Sequence, residues 1–202
     1  MLINCAAYQG GKKLGDIRKE EIHDYLKRPG SFVWVALKDA TSDELSEMQA
    51  QFGLHELAVE DARHGHQRPK LEEYGDSLFA VVQTAELDGD ELKVGEVNIF
   101  VGRNYVLSVR NRTEQGFANV RQRTEREPHL LKHGSGFVLY ALIDTVVDRY
   151  FPVLETLEDE LERLEELIFS GTPAQENIEA LYALKQKLMT LKHAAGPLQE
   201  TT

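Results

Sequence analysis

Residues 78–110, LFAVVQTAELDGDELKVGEVNIFVGRNYVLSVR, decide the fold of this chain. Three runs rich in Val, Ile, Phe and Tyr, from Leu78 to Glu86, Val94 to Val101 and Tyr105 to Arg110, are separated by Asp88, Gly89 and Asp90 and by Gly102, Arg103 and Asn104. β-Branched and aromatic side chains suit a pleated, half-buried surface, while Gly with Asn or Asp supplies the backbone angles of tight turns. The pattern predicts three strands joined as an antiparallel meander.

Upstream, Leu2 to Tyr8 and Phe32 to Leu37 read as two more strands. Helix-period segments lie between them and the meander: Asp16 to Lys27, ended by Pro29 and Gly30; Ser42 to Phe52, with Leu45, Met48 and Phe52 on one face; and a short one from Leu54 to Arg63. Downstream, Glu114 to Arg126 reads as a very polar helix placed outside the core. The fold class this implies for residues 1–136 is α/β, a mixed sheet with helices on its faces, an αβα sandwich.

The chain changes character at Gly134 to Gly136. From Phe137 it reads as a long helix in which Tyr150, Leu154, Leu157, Leu161, Leu164 and Ile168 alternate in steps of four and three, the seam of a coiled coil. Ser170 and Gly171 stop it, and Thr172, Pro173 and Gln175 restart a helix as cap, first-turn proline and capping-box partner. Ile178, Leu181, Leu184, Leu188, Leu191 and Ala195 repeat the same spacing until Gly196 and Pro197, so residues 137–202 are predicted to form a long antiparallel helical hairpin. Pro152 resists that reading: it lacks the amide that would bond the Asp148 carbonyl, which costs roughly 3 kcal/mol or forces a kink. Two helices meeting at Pro152 are the alternative.

Of the 202 residues 42% are hydrophobic, enough for one substantial core. Asp and Glu number 34 against 23 Lys and Arg, a formal charge of -11. Phosphate binding needs a basic stripe and none is visible, so no nucleic-acid partner is expected, and cations are the partners such a field favours. An acidic balance also serves plain solubility. Cys5 is the only cysteine, which forbids an intrachain disulfide and suits a reducing compartment such as the cytoplasm. The N-terminal MLINCAAYQGGKK has no basic stretch ahead of its apolar residues and does not read as a signal peptide. The longest apolar run, Phe137 to Ile143, falls far short of the roughly 18 residues of a membrane-spanning helix, so the chain as it stands reads as soluble. No Walker-type loop, GxSxG elbow, HExxH or cysteine placed with a histidine and an acid is present, which argues against an enzyme. A hydrolase built on paired carboxylates has no fixed spacing by which to find it.

Carboxylates are the candidate functional groups. On a helical wheel Asp144, Asp148, Glu155, Asp159, Glu162 and Glu166 share one side of the long helix, nearly opposite the leucine seam. From Glu155 to Glu166 a solvated face explains them. Asp144 and Asp148 differ, because they are like charges at i and i+4 among Leu142, Ile143, Val146 and Val147. Something must compensate them: a metal ion, a raised pKa, or salt bridges to Arg68 or Lys70. Glu60 and Asp61, adjacent at the end of a short helix, supply hard oxygen ligands but too few to close a site, and magnesium keeps several waters. They fit either a site shared between subunits or an ordinary acidic helix end held by Arg63 or Arg68. His64 and His66, without a third ligand at recognisable spacing, are a weak zinc signal; packing or hydrogen bonding of His66 beside Gln67, Arg68 and Pro69 is the plainer reading.

Taken in order, FVWVAL at 32–37, LHELAVEDA at 54–62, HQRPKLEEYGDSLFAVV at 66–82, EVNIFVGRNYVLSVR at 96–110, LYALIDTVVDRYFPVLETLEDELERLE at 139–165 and LKQKLMTLKHAAGPLQE at 184–200 resemble the cytoplasmic domain of CorA-type divalent metal ion transporters. The resemblance spans nearly the whole chain. It implies a homopentamer with a funnel-shaped cytoplasmic domain below two transmembrane helices per subunit, at the cytoplasmic face of the plasma membrane. It implies a sensor of divalent cations, Mg2+ above all, with Co2+ or Zn2+ as other cations, bound between neighbouring domains to hold a closed state. Carried over by motif, Asp61 matches the aspartate of one inter-subunit site, Glu60 and Asp144 match ligands of a second, and Asp148 aligns with the second aspartate of the helix motif. The resemblance also implies a continuation past Thr202 into a stalk helix, two membrane spans and a Gly-Met-Asn signature. A ZntB-like zinc transporter domain and a soluble acidic protein-interaction module are the alternative readings.

Overall fold

The structure, a computed structural model, describes residues 1–170 and 174–196. The stop at Gly171, the restart at Thr172 and Pro173, and the interruption at Pro197 lie outside the described residues.

In chain order the elements are β1 (Leu2–Gln9), β2 (Lys12–Asp16), a short 3-10 turn at Lys19–Glu21 leading into α1 (Ile22–Leu26), β3 (Ser31–Lys38), α2 (Ser42–Phe52), α3 (Glu56–His64), β4 (Lys70–Tyr74), β5 (Ser77–Asp88), β6 (Glu91–Gly102), β7 (Tyr105–Asn111), α4 (Ala118–Glu125), α5 (Pro128–Leu131), α6 (Ser135–Phe169) and α7 (Ala174–Ala195). The seven strands form one sheet in the order β2-β1-β3-β7-β6-β5-β4. β3 and β7 run parallel, and every other neighbouring pair is antiparallel. β5, β6 and β7 are the meander read from residues 78–110, with Asp88 opposite Glu91 and Gly102 opposite Tyr105.

Both edge strands escaped the sequence reading. β2 (KKLGD) lies ahead of the helix expected from Asp16, sharing only that residue with it, and β4 (KLEEY) lies in a stretch read as no element. Each is five residues long and charged, the composition that blunts an exposed sheet edge against pairing with another chain, and for that reason it lacks the apolar signature of a central strand.

Period-two alternation sorts the sheet side chains onto two faces. Cys5, Val33, Val35, Phe79, Val81, Phe100 and Leu107 form one core with α1, α2 and α3. Tyr8, Trp34, Val82, Val97, Ile99 and Val106 form the other with α4 to α7. The result is the expected αβα sandwich. α2 is built as its sequence dictates: the Thr41 side chain accepts from the Glu44 amide, the Glu44 carboxylate accepts from the Thr41 amide, and Gly53 closes the helix at φ 66°.

α6 runs unbroken through Pro152, so the two-helix alternative is not what forms. Pro152 lies on the exposed side, where water can reach the freed Asp148 carbonyl. Half of the predicted seam is buried. Tyr150, Leu157 and Leu164, seven residues apart, pack with Leu184, Leu191 and Ala194. Leu154, Leu161 and Ile168 remain 37%, 39% and 47% exposed, because one partner helix covers one layer of knobs and leaves the next at the rim. α4, expected outside, lays Val120, Arg121 and Thr124 against the second core and turns the rest of its polar residues outward.

Candidate functional site

α3 presents Glu60 and Asp61 at its C-terminal half. Ala58, Val59 and Ala62 are buried in the first core, so the two acids between them are forced toward the surface. The helix ends where Gly65 takes φ 62° and donates its amide to the Asp61 carbonyl at 3.0 Å; His66 follows at φ 58°. At its other end His55 accepts from the Leu57 amide and stacks on Tyr74 with ring centroids 4.1 Å apart, which holds α3 against β4.

Asp61 is half-buried and paired with Lys70, whose Nζ lies 2.7 Å from Asp61 Oδ2 and 2.9 Å from Glu72 Oε2. Burial pulls the Lys70 ammonium down, but its hydrogen bonds to Asp61 and Glu72 together outweigh that and leave it above its ordinary value. The partner is thus neither Arg63 nor Arg68, the two residues expected to hold this helix end. Arg63 instead donates to Ser46 Oγ of α2 at 2.7 Å. Glu60 is exposed, and its carboxylate meets no basic group or donor among the described residues. It borders a polar cleft between α2 and α3 lined also by Ser42, Gln49, Glu56 and His64.

Asp144 and Asp148 stand on α6, over the opposite face of the sheet. Asp144 accepts from Arg123 Nη2 of α4 at 2.8 Å, not from Arg68 or Lys70. Those two residues belong to β4 and the loop before it, beside α3. Asp148 is exposed without an ionic partner among the described residues, so the expected compensation reaches one member of the pair only. Glu155, Asp159, Glu162 and Glu166 form the solvated face expected of them.

The fold therefore brings Glu60 together with Asp61, and Asp144 with Asp148, but it keeps the two pairs on opposite sides of one sheet. Among the described residues no group of three or more His, Cys, Asp or Glu converges as a metal site. His64 Nδ1 lies 3.0 Å from the Glu60 carbonyl and His66 Nε2 2.5 Å from Arg112 Nη1, so the two rings point to different partners. Arg123 and Lys70 are the residues that sequence reasoning missed at these positions. The signal was present for Lys70, which directly follows the Pro69 turn from α3; Arg123 reaches Asp144 across 21 positions and only through tertiary packing.

Among the described residues no helix is long and apolar enough to cross a membrane. The model of the family described as CorA-like Mg2+ transporter protein matches residues 29–202. The cobalt/magnesium transport protein CorA of Thermotoga maritima is 34% identical over 152 residues, which are 74% of this chain and 43% of that protein. The putative metal ion transporter YfjQ of Bacillus subtilis is 35% identical over 136 residues, 67% of this chain and 42% of that protein. This chain thus matches less than half the length of either relative. The soluble domain of CorA from Methanocaldococcus jannaschii superposes with a TM-score of 0.73 at 19% identity, covering 99% of this chain and 78% of that one, a likeness of fold. With the family match running over most of its length and these relatives beside it, the chain belongs to the CorA-like Mg2+ transporter family.

Proposed function

We propose that this chain is the cytoplasmic, metal-sensing part of a CorA-like magnesium or cobalt transporter. Divalent cations bind between neighbouring subunits of a homopentamer through Glu60, Asp61, Asp144 and Asp148, and the bound ions favour the closed state. In this reading residues 1–136 present Glu60 and Asp61 to one neighbour, and residues 137–202 present Asp144 and Asp148 to the other.

The observation that carries the proposal is the placement of the two acidic pairs on opposite faces of one sheet. A single chain cannot fold both pairs around one ion. Copies arranged about an axis bring the α3 side of one against the α6 side of the next, and a cation there offsets the repulsion between chains that each carry a formal charge of -11. The donors fit the ion: carboxylate oxygens are hard ligands, and the Glu60 and Asp148 side chains have no partner among the described residues. Asp61 and Asp144 are each held by one basic side chain, so a cation competes with Lys70 and Arg123 or binds through its own waters. Both routes give weak binding, which a sensor needs in order to empty when the ion level falls.

The test uses the full-length transporter in vesicles, with magnesium inhibition of flux measured for the unaltered protein, Asp61→Ala and Asp144→Ala. Weakened inhibition in both variants supports the assignment; unchanged inhibition removes these carboxylates from the sensor. The same vesicles decide the ion, since uptake of zinc without magnesium would favour the ZntB-like reading.

A further inference from the structure

A second feature, distant in chemistry from the carboxylates, lies between α4 and the sheet. A cavity of about 360 Å³ opens there, with Trp34, Val97 and Ser108 on its floor, Phe117 and Ala118 at the start of α4, and Arg121 in its wall. Its surroundings are mainly apolar, and it reaches solvent beside Ile3, Ala118 and Gln122, all exposed.

Arg121 is 9% exposed, and among the described residues its guanidinium has no carboxylate within 4 Å and donates no hydrogen bond. Its one close partner is the Trp34 ring, 4.6 Å from Cζ. An aromatic face offsets part of the cost of burying a cation, but the guanidinium donates to no protein acceptor among the described residues, and Nη1 is fully enclosed. Glu125 and Asp16 lend the guanidinium some favourable charge, but a buried cation without a direct ion pair or protein acceptor is costly to hold. Burial accordingly pulls the Arg121 guanidinium below its ordinary pKa. The neighbouring arginine is in a different state: Arg110 Nη1 donates to the carbonyls of Thr113 at 3.1 Å and Glu114 at 2.9 Å. The Glu125 carboxylate, also at the cavity, is taken by the Tyr8 hydroxyl at 2.8 Å.

We infer that this cavity is a binding site for a small organic monocarboxylate, its carboxylate paired with Arg121 and its apolar body against Trp34, Val97 and Phe117. A guanidinium fork matches a carboxylate in two hydrogen bonds, and that pairing supplies the missing acceptors. The charges at the cavity are two arginines against one glutamate, a net of one positive charge, which balances one negative charge and not the two of a phosphate monoester. α4 adds to the field, since it starts at Ala118 with no side-chain cap on its first amides. The volume suits a ligand of roughly eight to twelve heavy atoms. The site stands independently of the cation reading.

Trp34 is the only tryptophan in the chain, so its emission reports on the cavity directly. The experiment titrates the 202-residue chain with 4-methylpentanoate and, separately, with the neutral 4-methylpentan-1-ol, neither of which absorbs with tryptophan. A saturable change with the acid, about tenfold weaker or absent with the alcohol, supports the site. Arg121→Met, which keeps the side chain's length and apolar stem, lowers affinity for the acid about tenfold and leaves the thermal midpoint equal or higher, because it removes a buried charge without a direct ion pair. No saturable response up to about 20 mM acid, or equal affinity for acid and alcohol in the unaltered chain, overturns the proposal whatever the variant does.

Discussion

Arg123 Nη2 of α4 stands 2.8 Å from Asp144 Oδ2 of α6, which fastens the polar helix to the long one at the carboxylate proposed to face a neighbouring subunit. The pair is partly exposed, 46% on the arginine and 32% on the aspartate, so its contribution to folding is below about 1 kcal/mol. Its interest lies in competition, because a cation approaching Asp144 meets a guanidinium already in place.

On the proposed reading, Arg123→Gln in the full-length protein removes a competitor for Asp144. Magnesium is expected to inhibit flux at concentrations roughly two- to fivefold lower, with folding stability changed by less than about 1 kcal/mol. The dose response of flux against magnesium checks this, and an unshifted curve would show that the arginine and the ion do not share Asp144.

The hairpin offers a paired test of which seam layer carries stability. Leu157 is 1% exposed within the core, whereas Leu161, one step along the same seam, is 39% exposed. Leu157→Ala is expected to cost about 2 to 4 kcal/mol in chemical denaturation and Leu161→Ala less than about 1. Equal losses would mean that the rim layer is covered in solution.

Pro152 sits in the middle of α6 on its solvent side. Pro152→Ala restores the amide that bonds the Asp148 carbonyl and relieves the crowding of the preceding turn. The expected gain is about 1 to 3 kcal/mol, read as a rise in thermal midpoint of roughly 3 to 10 °C. A fall in midpoint would show that α6 depends on the shape proline gives it.

Cys5 is buried 4% exposed in β1, and burial pushes its thiol up to about 11 from 9.0. The neutral thiol is the form the fold accepts, so this group's contribution is complete below pH 9 and is lost as pH rises through 11. Burial and hydrogen bonding to Glu125 raise the Tyr8 hydroxyl, and burial raises that of Tyr150, in the same direction. Stability is therefore expected to decline from about pH 9 upward, with Cys5→Ala removing up to about 2 to 3 kcal/mol of that decline. Thiol titration gives a second readout: Cys5 stays unreactive at pH 8 in the folded chain and reacts fully in denaturant.

The meander, the amphipathic α2 and the helical hairpin were all legible in the order of residues, because each is announced by local rules. Val, Ile and Phe runs broken by Gly and Asp specify strands and turns, and leucines at steps of three and four specify a helix face. The acidic residues were legible too, as residues. Their partners were not. Asp61 with Lys70, Asp144 with Arg123 and Arg121 with Trp34 are contacts between elements that the chain brings together only after the sheet has ordered its strands. The edge strands β2 and β4 were hidden for a related reason, since a short charged segment becomes a strand by pairing with a neighbour and not by burying a face of its own. Hydrophobic periodicity acts over a few residues and is written into the chain, whereas the pairing of charges and edges depends on distances in space, which only the packed sheet and its two helical layers set.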